Sequence, residues 1–514
     1  MSIIQEVINN TDYDTVKYHF FNHVLEHPNK RLFEWINKES MEFDSITYAD
    51  FASQVINIGT AMYNKGFQGK KIALCGVSDD RWIKLFCTVL FVDAIIIPID
   101  PALSQDDLVK RLKFVEADVL FTDRSNLDDL RSQLKNTTIF DISIVDEFLA
   151  KGQELICSGD HSFADIKVHN EDTTLMIFTS GTGGKIKAAM LSQEGLTLEK
   201  NVWEGMGITG YTCFIVLPLF HIAGIGDLRG VLLTGGTAVI SQGLKYLLQE
   251  YAYAKPYCCF MVPAQANFIY KVLEDKDYES AHKILGGNFN TFRTSGAPLP
   301  ERLRDLFNKF DIQITSDYGM TETTGPVSVA INKDGRIYSK KGSVGHILDA
   351  LDVRIDNPDE NGCGEVIISG KCLFKGYYND PEETEKILYD GYIHTGDIGR
   401  IDEDGFLYIV GRKKNIIILS SGKNIIPEEL EKKVSSIKEV TECLIFEKAD
   451  AVAVRVYSDR LNILSSEEDI KELESIIWEN VRTINKSLQS YERIQDVEIS
   501  LEPLKKTSTG KIMR

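Results

Sequence analysis

The stretch "TSGTGGKIKAAMLS", Thr179 to Ser192, follows the apolar run Thr174-Leu175-Met176-Ile177-Phe178 and mixes glycine with hydroxyl residues and two lysines. A strand running into a loop of Gly, Ser and Thr presents backbone N–H groups and hydroxyls together, the combination that cradles phosphate oxygens. It is not a Walker loop: Gly181 is followed five positions later by Ile186, and Gly184-Lys185 by Ile186 rather than Ser or Thr. The dinucleotide fingerprint fails as well, because Ile186 stands three after Gly183 where the last glycine belongs. Composition alone leaves a plain surface turn open, so the remainder of the chain has to decide.

The 514 residues, 43% of them hydrophobic, are enough for a large core and for two or more domains. Against 57 basic residues stand 76 acidic ones, a net charge of −19 that is a poor footprint for nucleic acid or an anionic membrane. Nine scattered cysteines without a Cys-x-x-Cys pair read as buried free thiols of a reducing, cytoplasmic compartment. Nine histidines without paired spacing argue against a His/Cys metal site. The start "MSIIQEVINNTDYD" reads as a short helix and not as a secretion signal. The most apolar segment, "LFCTVLFVDAIIIPID" from Leu85 to Asp100, is cut by Asp93 and Pro98 and reads as a core helix feeding a buried strand, so no membrane span is expected.

Outward from the opening stretch, helical and apolar strand patterns alternate between Ser45 and Asp123 and again from Thr174 to about Thr315, as in parallel sheets covered by helices. From Gly342 to Gly411 the texture turns to short β-rich runs, which predicts a small antiparallel barrel or sandwich. After Arg412, Pro427 followed by Glu428 and Glu429 makes a helix start inside a compact α+β tail. The expected organisation is a large domain over 1–411 (α/β halves at about 1–170 and 171–330, a β-rich part at 331–411), a hinge at 412–414 and a small domain at 415–514.

Five further segments share the mixture of glycine, hydroxyl and charge: "SGAPLP" (Ser295 to Pro300), "TSDYGMTETTG" (Thr315 to Gly325), "HTGDIGR" (His394 to Arg400), "GRKKNIIILSSGKN" (Gly411 to Asn424) and the end "KKTSTGKIMR" (Lys505 to Arg514). In order and spacing they resemble the acyl-adenylate-forming superfamily of acyl-CoA synthetases, stand-alone adenylation enzymes and luciferases, from about Ser45 to the last residue. The resemblance implies an α/β fold with two helix-covered sheets and a small β-barrel, followed by a mobile α+β lid.

It also implies site residues. Thr179, Ser180, Gly181, Thr182, Gly184 and Lys187 would wrap the ATP phosphates; Gly296, Ala297 and Pro298 with Asp317 and Tyr318 would form the adenine site. Thr321 would contact the α-phosphate, Glu322 would hold Mg²⁺, Asp397 would accept from the ribose hydroxyls with Arg412 in support, and Lys511 would neutralise charge in catalysis. His221, in "LPLFHIAG", would gate or orient the acyl carboxylate, Lys414 would be the hinge residue, and Gly422 would let a pantetheine arm pass. An attacking carboxylate is already ionised, so no general base is demanded, in agreement with the absence of a Ser/His/Asp signature.

The departures lie in the phosphate loop, where Gly183 replaces a hydroxyl, Ile186 a proline and Ala188 a glycine of the family pattern. The loss of one charge-assisted bond costs about 1.5–3 kcal/mol, which weakens ATP use without abolishing it. His221 stands where amino-acid-activating members carry an aspartate, so the resemblance points to a fatty or aryl acid, with ATP, Mg²⁺ and CoA as the other components. A carrier protein's phosphopantetheine in trans is the alternative acceptor, an ATP-binding protein with lost turnover is the alternative function, and homodimerisation is left open.

Overall fold

The computed structural model describes residues 3–38, 40–180, 185–243, 245–295, 301–334, 336–506 and 512–514. Its first sheet has six strands in the order Thr138–Asp141, Val119–Thr122, Lys71–Cys75, Ile95–Ile99, Thr173–Ser180 and Ile186–Ser192. The first five run parallel, and the last folds back as an antiparallel hairpin. Strands such as "KIALC" are apolar at consecutive positions because both faces are covered by helices. Pro98 sits in the strand Ile95–Ile99 without an N–H to give, and that strand meets Thr173–Ser180 at the single register pair Ile96–Leu175.

The second sheet has seven strands: Gln313–Ser316, Thr291–Thr294, Cys258–Phe260, Thr212–Ile215, Thr237–Ile240, Arg31–Ile36 and Phe43–Thr47. The expected division into halves near residue 170 is therefore corrected. Strand Arg31–Ile36 pairs in parallel with Thr237–Ile240, while Thr173–Ser180 and Ile186–Ser192 complete the first sheet. The chain crosses between the sheets in both directions, since apolar strands of either half bury equally well on either sheet.

Helix Tyr48–Asn64 is capped by Thr47, whose hydroxyl accepts from Asp50 N, and buries Phe51, Val55, Ile58 and Met62. It meets helix Ile144–Cys157 at Gly152, so closely that a Cβ there would lie 1.7 Å from the Asn57 carbonyl oxygen. One continuous core runs through helices Val16–Glu26, Tyr48–Asn64, Asp80–Phe91, Gln193–Met206 and Ile222–Thr234 and joins both sheets. Separate cores cover the outer faces of the second and first sheets.

The β-rich part is an antiparallel five-stranded sheet built from Leu351–Asp356, Gly364–Gly370, Leu388–Tyr389, Tyr392–Ile401 and Leu407–Arg412. Beyond it, helices Pro427–Val434 and Glu467–Asn485 pack on the sheet Glu442–Lys448, Ala451–Tyr457 and Ile494–Ser500 around a core of their own. No helix among the described residues is long and apolar enough to cross a membrane. All nine cysteines are free, with Cys258 and Cys259 buried.

Candidate functional site

Several candidate residues lie at or just beyond the carboxyl ends of parallel strands, where open α/β sheets place their ligand crevices. Thr179 and the backbone of Ser180 end the strand Thr173–Ser180, Asp317 follows Gln313–Ser316, and His221 precedes helix Ile222–Thr234. The Ser180 side chain, Gly181, Thr182 and Gly184 of the loop, Gly296, Ala297 and Pro298, and Lys511 lie outside the described residues.

Thr179 pairs in register with Lys187 across the hairpin. The Lys187 ammonium lies 2.6 Å from Glu383 Oε2 and 4.8 Å above the Tyr377 ring, and Lys185 pairs with Asp380 at 2.7 Å. Both acids belong to the short helix Pro381–Glu385 and its cap Asp380. The charge of the loop lysines is thus balanced by carboxylates before any phosphate arrives. Lys187 and Lys386, which also pairs with Glu383, hold the Glu383 carboxyl down to about 2.

Thr321 and Glu322 open a 3-10 turn, Thr321–Thr323, that ends at Thr324 with φ +57, a left-handed conformation rare for a β-branched residue. Two contacts hold it there: Thr324 Oγ1 donates to the Cys372 carbonyl at 2.8 Å, and the buried Arg229 donates to the Thr324 carbonyl at 2.9 Å. Glu322 is 7% exposed, and among the described residues the side chain that bonds its carboxylate is Tyr377, whose hydroxyl donates to Oε1 at 2.5 Å. A buried carboxylate whose partner is a neutral donor, and not a basic side chain, is a fit for the hard cation the sequence assigns to it.

Asp397 lies in the strand Tyr392–Ile401 directly opposite Arg412. Its Oδ2 accepts from the Tyr318 hydroxyl at 2.7 Å and its Oδ1 from Arg412 Nε at 2.8 Å. The three residues therefore form one unit, and each carboxylate oxygen keeps a further lone pair for a ribose hydroxyl.

The Asp317 carboxylate is buried on Arg293, with Nη2 at 2.9 Å. Arg293 is itself 1% exposed and also faces Asp227 at 3.4 Å and Glu199 at 3.7 Å, while Arg229 reaches Glu199 at 3.5 Å. This ionic cluster ties helix Ile222–Thr234 to strand Thr291–Thr294 and to the end of strand Gln313–Ser316. Burial pushes the Asp227 carboxyl up to about 8.

His221 caps helix Ile222–Thr234, with Nδ1 accepting from Ala223 N at 3.3 Å, which places the proton of the neutral ring on Nε2. Lys414 is exposed in the turn Lys413–Asn415, where burial of its stem and the neighbouring Arg412 lower its pKa. Lys413 anchors the same turn to Glu365 at 2.9 Å, beside Asp356 and His394, a grouping of possible metal ligands that the histidine spacing did not foreshadow. Gly422, at φ +73, turns the hairpin Ile417–Ile418 and Asn424–Ile425 in open space. Lys506 and Ile512 form an isolated antiparallel bridge, and Arg514 binds Glu431 at 2.7 Å.

Sequence reasoning missed Tyr377, Asp380, Glu383 and Arg293. The segment "GYYNDPEE" carried a signal for the first three, since a proline-led acidic helix start behind two tyrosines is a ready partner for loop lysines.

Residues 20–378 match the AMP-binding enzyme family, and residues 414–514 match the AMP-binding enzyme C-terminal domain. A long-chain-fatty-acid–CoA ligase of Mycobacterium tuberculosis is 28% identical over 365 residues, 68% of either chain. A 4-coumarate–CoA ligase of Solanum tuberosum is 27% identical over 501 residues, 91% of this chain and 87% of that one. Among solved structures, the O-succinylbenzoate coenzyme A synthetase of Bacillus subtilis in complex with ATP and magnesium ion superposes with a TM-score of 0.75 at 19% identity, covering 96% of this chain and 98% of that one. With the first match spanning well over half of its length, the chain belongs to the AMP-binding enzyme family.

Proposed function

We propose that the protein uses ATP to activate a carboxylic acid, of the fatty or aryl class, as an acyl-adenylate with release of pyrophosphate, and then transfers the acyl group to CoA. The observation that carries the reading is the joining of Tyr318, Asp397 and Arg412 into one unit beside the turn Lys413–Asn415, with Glu322 and Lys187 linked through Tyr377. The relatives named as fatty-acid and 4-coumarate CoA ligases support the acid classes and the acceptor.

In the first step a carboxylate oxygen bonds to the α-phosphorus of ATP, and the bond from that phosphorus to the pyrophosphate oxygen breaks. Two anions meet, so the barrier is electrostatic, and residues that neutralise the phosphates carry the catalysis. Lys187 is assigned to the leaving phosphates, exchanging Glu383 for them, and Lys511 to the reacting centre. Glu322 would hold Mg²⁺, which would supply positive charge to offset that of the phosphates. Asp397 and Arg412 fix the ribose, and His221 Nε2–H orients the acid. In the second step the CoA sulfur bonds to the acyl carbonyl carbon, AMP leaves with the electrons of the acyl–oxygen bond, and the thiol proton passes to solvent. A turn about Lys414 exchanges Lys511 for the hairpin that turns at Gly422 between the steps.

Pyrophosphate release across straight-chain, aryl and amino acids, with and without CoA, tests the reading. Turnover confined to one acid class and dependent on CoA is expected. Release that ignores CoA but needs a carrier protein would transfer the second step to that acceptor.

A further inference from the structure

Tyr377 belongs to no motif that the sequence reading assigned, yet it touches two parts of the candidate site at once. Its hydroxyl donates to Glu322 Oε1 at 2.5 Å, and its ring lies under the Lys187 ammonium at 4.8 Å. The residue is 6% exposed and is held from several sides. Its backbone bridges Ala189 of the hairpin, its N–H donates to Thr384 Oγ1 at 2.9 Å, and its ring packs edge-on against Phe374 at 4.9 Å. These contacts hold the ring in place, and its hydroxyl bonds one oxygen of the Glu322 carboxylate.

We propose that Tyr377 is a positioning residue for the divalent cation. By occupying Glu322 Oε1 it aims the other carboxylate oxygen at the metal, while its ring holds Lys187 within reach of the same phosphates. This rests on the reading of Glu322 as the metal ligand. Partners of metal ligands that act in this way typically change metal affinity by about 10–100-fold when removed. A purely structural tyrosine would instead change stability or nucleotide binding.

The test uses the full chain, a non-hydrolysable ATP analogue and Mn²⁺ read by electron paramagnetic resonance. Tyr377→Phe keeps the ring over Lys187 and the packing on Phe374 and removes only the hydroxyl. The expected result is Mn²⁺ binding to the enzyme–analogue complex weakened about ten-fold, with analogue affinity in EDTA and the thermal midpoint unchanged. Glu322→Gln is the companion variant. If it weakens Mn²⁺ binding and Tyr377→Phe does not, the positioning role is overturned while the metal assignment stands. If neither variant weakens it, the assignment of Glu322 falls and the positioning role with it. A parallel loss of analogue affinity in EDTA by Tyr377→Phe would also overturn the proposal, because it would show general distortion of the site.

Discussion

Asp397 holds Tyr318 and Arg412 simultaneously, so one carboxylate connects the strand after Ser316 to the segment leading into the hinge turn. Asp397→Ala is expected to raise the KM for ATP about 10–100-fold, the equivalent of one or two charge-assisted bonds, with the fold retained by circular dichroism. Arg293 is a different kind of residue, since its partners are buried with it. Arg293→Leu leaves Glu199, Asp227 and Asp317 without their common cation and should cost about 3–5 kcal/mol in denaturant unfolding. Asp227 also makes stability depend on pH. Its folded-state carboxyl is lifted to about 8, so the folded chain holds a proton that the unfolded chain gives up. The resulting stability is full below the ordinary carboxylate range and is lost as the pH rises through about 8. Asp227→Asn mimics the protonated acid and should abolish that loss. Its thermal midpoint, compared with that of the parent chain, is expected to gain from the ordinary carboxylate range up to about pH 8 and to level off above it.

Among the elements, the contact of helix Tyr48–Asn64 with Ile144–Cys157 depends on the missing side chain of Gly152. Gly152→Val is expected to destabilise by about 1–3 kcal/mol or more through overpacking against Asn57 backbone. Gly205, in helix Gln193–Met206, has nothing within 4 Å of an added Cβ, so Gly205→Ala should instead stabilise by about 0.5–1 kcal/mol. Elements such as Tyr48–Asn64 and Lys71–Cys75 were legible because their period and their caps are local. The sheet membership of Arg31–Ile36 was not, because its partner lies about two hundred residues away and an apolar strand carries no address. The site divides along the same line. Asp397, Arg412 and Glu322 sit in ordered motifs, whereas nothing in "TFRTS" distinguishes Arg293 from a surface cation. Its role exists only once three distant carboxylates are packed around it.

At the scale of the whole molecule, two bodies with separate cores meet at the turn Lys413–Asn415, and the proposed reaction calls for them in two arrangements. The Lys271–Asp459 pair, at 3.0 Å, is a contact that such a rotation would break. Lys414→Pro should spare acyl-adenylate formation and slow thioester formation by about ten-fold or more, read as single-turnover rates of the two steps. The central claim, acid activation followed by transfer to CoA, is tested most directly by pyrophosphate release over the acid panel with and without CoA, with Lys511→Ala in parallel. The prediction is CoA-dependent release with fatty or aryl acids that the lysine variant loses. Tight ATP binding with no pyrophosphate from any acid would contradict it and would turn attention to Gly183, Ile186 and Ala188 of the phosphate loop.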